Sequence, residues 1–165
     1  MEMWLVVSLA RLVVVAIAAA LGVYLSAWLL QAITPELDLW AELLRGNMAM
    51  AVVLAGVILA VAAVMHPVVS VALESYDLGP GAAATALLIE GARLVFGAIV
   101  GGLSVVLAAG LYNLLTGSLD ERAELRGGNV AVGVVEAAVM LGVALLVSAP
   151  ATALVRAVLD AVLGR

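Results

Sequence analysis

The chain has no cysteine and no lysine. The first absence removes disulfides, thiolate metal centres and cysteine nucleophiles. The second leaves arginine as the only strong cation, at seven positions against twelve carboxylates. One histidine, His66, stands beside Pro67 near a helix end, where an imidazole suits the helix dipole. With no second His or Cys it makes no metal site. Charged residues are only 12% of the chain and the net charge is −5, with no basic cluster to meet a nucleic acid. Nucleophile–base pairs, phosphate-binding loops and paired catalytic acids are also missing. The expectation is therefore a protein that is not an enzyme and carries no cofactor or metal.

Apolar residues fill the space that charge leaves. They make up 67% of the chain, and the mean hydropathy is +1.29. A soluble core of this length cannot hide so much apolar surface, so the natural solvent is lipid. Four stretches are long enough for a membrane helix of about 20 residues. They are Trp4–Leu30, Asn47–Val71, Leu87–Leu115 and Asn129–Leu154. Between Met48 and Met65 no side chain is polar. The first stretch, with its Ala18-Ala19-Ala20 run, lacks the basic start of a signal peptide and has a counterpart in mid-chain, so it reads as a retained helix. Spans this continuously apolar do not suit barrel strands.

The chain also repeats itself. At a constant offset of 82, Leu5–Ala62 and Leu87–Ala144 are identical at 28 of 58 positions without a gap. Matches include Arg11/Arg93, Thr34/Thr116, Asp38/Asp120, Glu42/Glu124, Gly46/Gly128 and Asn47/Asn129. Each unit reads as helix, short acidic loop, helix. The expected fold is an all-α membrane protein of four transmembrane helices, arranged as two tandem, same-orientation two-helix repeats over residues 1–82 and 83–165. Like-oriented units suggest a pseudo-twofold axis along the membrane normal, with both termini and the Glu74–Ala84 linker on one face. Gly79-Pro80-Gly81 breaks the chain between the halves. Four arginines on the terminal face against three on the loop face favour cytoplasmic termini. Small residues mark the helix contacts: Gly97/Gly101 and Ala98/Gly102, and Ala51/Ala55 answering Gly133/Ala137.

The paired signature E-L-x-x-G-N-x-A occurs as Glu42-Leu43, Gly46-Asn47, Ala49 and as Glu124-Leu125, Gly128-Asn129, Ala131. In this doubled motif the chain resembles the bacterial family known as domain of unknown function 350, small inner-membrane proteins built from a duplicated two-helix unit. The resemblance covers essentially the whole chain. It implies a fold and a location in the bacterial inner membrane, and it implies no reaction.

Six polar residues are candidate functional positions. Asn47 and Asn129 each follow a glycine and open a helix, as N-caps do. They could instead present amide oxygens at a shared mouth. Asp38, Asp120, Glu42 and Glu124 stand just upstream and suit the helix N-termini. Arg11 and Arg93 fall inside spans, where an arginine either snorkels or finds a partner. Glu90, one turn before Arg93, can pair with it; the matching residue before Arg11 is Ser8. Glu136 is an acid in a helix interior whose repeat mate is Leu54, and intramembrane acids often mark ion or proton paths. Two functions fit. One is a homo-oligomeric accessory or scaffold subunit of a membrane complex, with the lipid bilayer, further copies and other membrane or peripheral proteins as partners, and no nucleic acid. The other is a small oligomeric channel using Glu136 and an Asn47/Asn129 layer.

Overall fold

The computed structural model describes residues 2–35, 37–70, 82–117 and 120–163. Among the described residues six helices follow one another: α1 (Glu2–Ile33), α2 (Leu39–Leu44), α3 (Met48–Val69), α4 (Ala82–Thr116), α5 (Glu121–Arg126) and α6 (Val130–Leu163). Four contain stretches long and apolar enough to cross a bilayer: Ser8–Ala32, Met48–Val69, Ala84–Thr116 and Val130–Leu163. A helix satisfies its own backbone, which lipid cannot do for it, so these apolar runs have no cheaper conformation. At 1.5 Å per residue, the 34 residues of α6 extend about 51 Å, beyond a hydrocarbon core of about 30 Å. Its last turns, with Arg156 and Asp160, therefore continue past the apolar layer. The expected break at Gly79–Gly81 lies outside the described residues; α4 begins at Ala82.

Glycines set how closely the helices approach. Gly22 of α1 lies against Ala98 of α4, and Gly102 of α4 lies against Ser26 and Leu29 of α1, so these two helices run in parallel. Gly97 and Gly101 of α4 face Met65, Val68 and Val61 of α3, which runs the opposite way. The tightest contact joins α3 and α6, again in parallel. A methyl added at Gly56 would lie 2.6 Å from Cα of Ala137, and one added at Gly133 would lie 2.7 Å from the carbonyl oxygen of Ala49. No alanine fits either position without moving a helix. Around this contact Ala49, Val53, Val57, Ala60, Met140 and Ala144 form the centre of the core.

The α3–α6 contact does not have the twofold symmetry expected from the repeat. A twofold axis would bury equal positions of the two units equally. Ala49 is fully buried, whereas its repeat mate Ala131 is exposed; Val53 is buried, whereas Val135 is half exposed. The two helices meet through different faces.

Candidate functional site

The doubled signature builds a corner at the end of the molecule where α2 and α5 lie. The stretches that read as acidic loops contain short helices. Asp38 caps α2 by accepting from the Ala41 amide at 3.0 Å, and Asp120 caps α5 by accepting from the Ala123 amide at 3.1 Å. Each short helix ends at a glycine in the left-handed region, Gly46 with φ +79° and Gly128 with φ +81°. The Gly46 amide donates to the Leu43 carbonyl and the Asn47 amide to the Glu42 carbonyl, both at 3.0 Å. Gly128 and Asn129 repeat this with Leu125 and Glu124 at 3.0 and 2.9 Å. This double closure is the Schellman motif, and it needs a residue that tolerates positive φ, hence glycine.

The asparagine that closes one helix opens the next. Asn47 Oδ1 accepts from the amides of Ala49 (3.0 Å) and Met50 (3.3 Å), and Asn129 Oδ1 accepts from the Ala131 amide (3.1 Å). Both are N-caps, which supply partners for amides that the helix itself leaves free. The side-chain nitrogens donate backward, Asn47 Nδ2 to Glu42 Oε2 at 3.0 Å and Asn129 Nδ2 to Glu124 Oε2 at 2.6 Å. The motif thus works as one unit: glycine reverses the chain, asparagine bonds in both directions, and glutamate holds the asparagine. Arg45 adds a second bond to Glu42 at 2.8 Å from an exposed position.

The two corners differ in what receives them. Asn47 Nδ2 also donates across the molecule to the Leu125 carbonyl of α5 at 2.8 Å, and it lies 3.5 Å from the Arg126 carbonyl. Glu42 is buried beside it. Asn129 and Glu124 are exposed. Identical chemistry is docked in one half and open in the other.

Glu136 lies about two helical turns inside this end. It is 7% exposed, on the side of α6 that carries Gly133 and Met140, and it faces protein. It lines a small cavity of about 20 Å³ with Gln31, Thr34, Leu39, Met50 and Leu125. That volume suffices for about one water molecule. Among the described residues its Oε2 has no hydrogen-bond partner, and neither has Oε1 of Glu121, another buried acid. Glu121 lies within electrostatic reach of both Glu136 and Tyr112. Burial pushes the Glu121 carboxyl above its usual value, with Arg122 opposing. Glu121 was not among the sequence candidates, yet its repeat mate is Leu39, so it breaks the repeat just as Glu136 does against Leu54.

The arginine pair sits toward the other end. Arg93 is 4% exposed and does not snorkel. Its Nη1 donates to Glu90 Oε2 at 3.1 Å, and Nη2 donates to the carbonyls of Val68 and of Val69, the latter at 2.7 Å. Those carbonyls belong to the last turn of α3, where the helix has run out of its own donors. Arg93 therefore closes α3 from α4. The side chain of Arg11 lies outside what the structure describes. The six candidates do not form one layer: Asn47, Asn129 and Glu136 belong to the corner end, and Glu90 and Arg93 to the end where α3 stops.

Among the described residues, four helices long and apolar enough to cross a bilayer mark a multi-pass α-helical membrane protein. The chain belongs to the family described as Domain of Unknown Function (DUF350), whose family model matches residues 3–149. No curated protein and no solved structure matches it.

Proposed function

We propose that this chain is a homo-oligomeric accessory or scaffold subunit of a bacterial inner-membrane complex, formed by two tandem, like-oriented two-helix repeats with both termini on the cytoplasmic side. The observation that carries this reading is the unequal treatment of equal corners. The first asparagine is received by α5 of the other half, and the second stands exposed with its glutamate. A chain that repeats a docking element and uses it internally only once has one left for a neighbour. The reading assigns no catalysis and no cofactor. It takes the lipid bilayer, further copies of the chain and other membrane or peripheral proteins as partners, and no nucleic acid. Mass measurement of single particles in native-lipid nanodiscs and in mild detergent tests it. Multimers are expected, and single chains under both conditions would overturn it. Because the chain is free of cysteine, single cysteines introduced near Leu44 and near Leu163 can be labelled from either side of the membrane, and opposite accessibility is expected.

A second reading is favoured by one feature, the unpartnered Glu136 oxygen beside a water-sized cavity with Glu121 in electrostatic reach. In that reading the oligomer passes a small ion or proton past Glu136. Flux in liposomes should then be lost in Glu136→Gln while particle mass stays unchanged. Equal flux in both proteins would remove this alternative.

A further inference from the structure

The internal contact between α3 and α6 identifies two faces on the outside of the molecule. Inside the chain, α3 presents Ala49, Val53, Gly56 and Ala60, all buried, and α6 meets them with Gly133, Ala137, Met140 and Ala144. Moving each set by the repeat offset gives its counterpart on the other helix. The counterpart of the α3 face is Ala131, Val135, Ala138 and Gly142 on α6, and all four are exposed. Two are the same residue as their mates, and the other two exchange Gly and Ala. The counterpart of the α6 face is Ala51, Ala55, Ile58 and Ala62 on α3; Ala51 is partly buried and the other three are exposed.

We infer that the exposed face of α6 is the docking site for α3 of a second copy of this chain, in an interface that repeats the internal one. The inference rests on the self-association proposed above and adds its geometry. Lipid is the default neighbour of an exposed apolar helix, and one turn beyond Gly142 the same face does carry bulk, at Leu145 and Leu146. Over Ala131, Ala138 and Gly142 it is small, and close helix approach in a membrane uses small residues. The polar corner supplies a second, independent agreement. Asn47 donates to the carbonyl of Leu125, whose repeat mate is Leu43. A copy seated on α6 in the same register brings its Leu43 carbonyl to the exposed Asn129. One docking therefore occupies both the small face and the open asparagine.

The repeated contact differs from the internal one in a way the residues dictate. Gly56 and Gly133, where no methyl fits, are matched by Ala138 and Ala51. The helices of two chains must stand further apart there than α3 and α6 within a chain. Association is accordingly looser than folding, and the two can be separated. The contact joins unlike faces, α6 of one chain to α3 of the next. Between like-oriented chains in one membrane every α6 then meets the α3 of a neighbour, and the assembly closes as a ring of two or more copies.

Cross-linking in membranes tests this. Two differently tagged chains are co-expressed, one carrying Ala138→Cys and the other Ala55→Cys; both positions are exposed in the single chain, so folding is not at stake. The expected result is a disulfide-linked pair containing both tags, with neither variant linking to itself. Multimeric particles should fall to single chains in Gly142→Leu, a position with open space around it in the single chain. An Ala138→Cys chain that links to itself would overturn the geometry in favour of a contact between two α6 helices. Multimeric particles with no cross-link would assign self-association to another face. Single chains throughout would remove the self-association reading itself.

Discussion

Replacing Asn47 by alanine, and separately Asn129 by alanine, sets the two corners against each other. Asn47→Ala removes the acceptor of two first-turn amides, a loss of about 0.5–2 kcal/mol for an N-cap. It also removes the donor to the Leu125 carbonyl, a part-buried bond between the halves worth about 0.5–1.5 kcal/mol. Buried Glu42 loses one of its two partners at the same time. The sum is about 1–3.5 kcal/mol. Asn129→Ala removes one amide bond and the bond to exposed Glu124, and water replaces both. About 0.5–1 kcal/mol is expected there, the low part of the capping range. Unfolding should be followed in mixed micelles diluted to one chain each, so that no second copy meets Asn129. A cost for Asn129→Ala equal to or above that of Asn47→Ala would refute the assignment of unequal docking.

Three further outcomes follow from the packing and the acids. Gly133→Ala forces a methyl to 2.7 Å from the Ala49 carbonyl oxygen, whereas Gly142→Ala meets nothing; the first should be less stable than the second by about 1–3 kcal/mol in the same micelle unfolding assay, and equal stabilities would contradict the close approach of α3 and α6. Burial holds the Glu121 carboxyl above its usual value of 4.5, so the folded state binds this proton more tightly than the unfolded state. The contribution of Glu121 is complete below that value and is lost as pH rises through the folded pKa, so wild type should lose stability relative to Glu121→Gln across that rise; parallel pH profiles would contradict it. Glu136→Leu should raise the unfolding midpoint or leave it unchanged, since it removes a buried oxygen that has no partner, and a clear loss would show that Glu136 is held by a group other than those around it in the single chain.

The spans were legible because hydropathy over twenty or more residues needs no tertiary information. Asn47 and Asn129 were legible as caps because a Gly-Asn step before an apolar run has a local meaning. The six-residue helices α2 and α5 were read as loops, being too short to show a periodic pattern. Asp38 and Asp120 at their starts, and Gly46 and Gly128 just past their ends, were the available signals. Glu121 carries its signal in the same kind of break in the repeat that marks Glu136, since Leu39 stands at the equivalent position. The Glu90 partner of Arg93 was legible from its i,i+3 spacing, but the carbonyl partners depend on where α3 stops relative to α4, which no local pattern encodes. A sequence repeat states that two units are alike and not which of their faces meet. For that reason the twofold expectation failed at Ala49 and Ala131.

In the proposed assembly a chain with two equivalent corners docks one internally and offers the other to a copy. Imaging of particles extracted directly into native-lipid nanodiscs tests it most directly. Closed rings are expected, in which the small face of each α6 abuts α3 of the next chain, with Asn129 in hydrogen-bond reach of the neighbouring Leu43 carbonyl. Isolated four-span bundles, with Ala131, Val135, Ala138 and Gly142 against lipid, would contradict it.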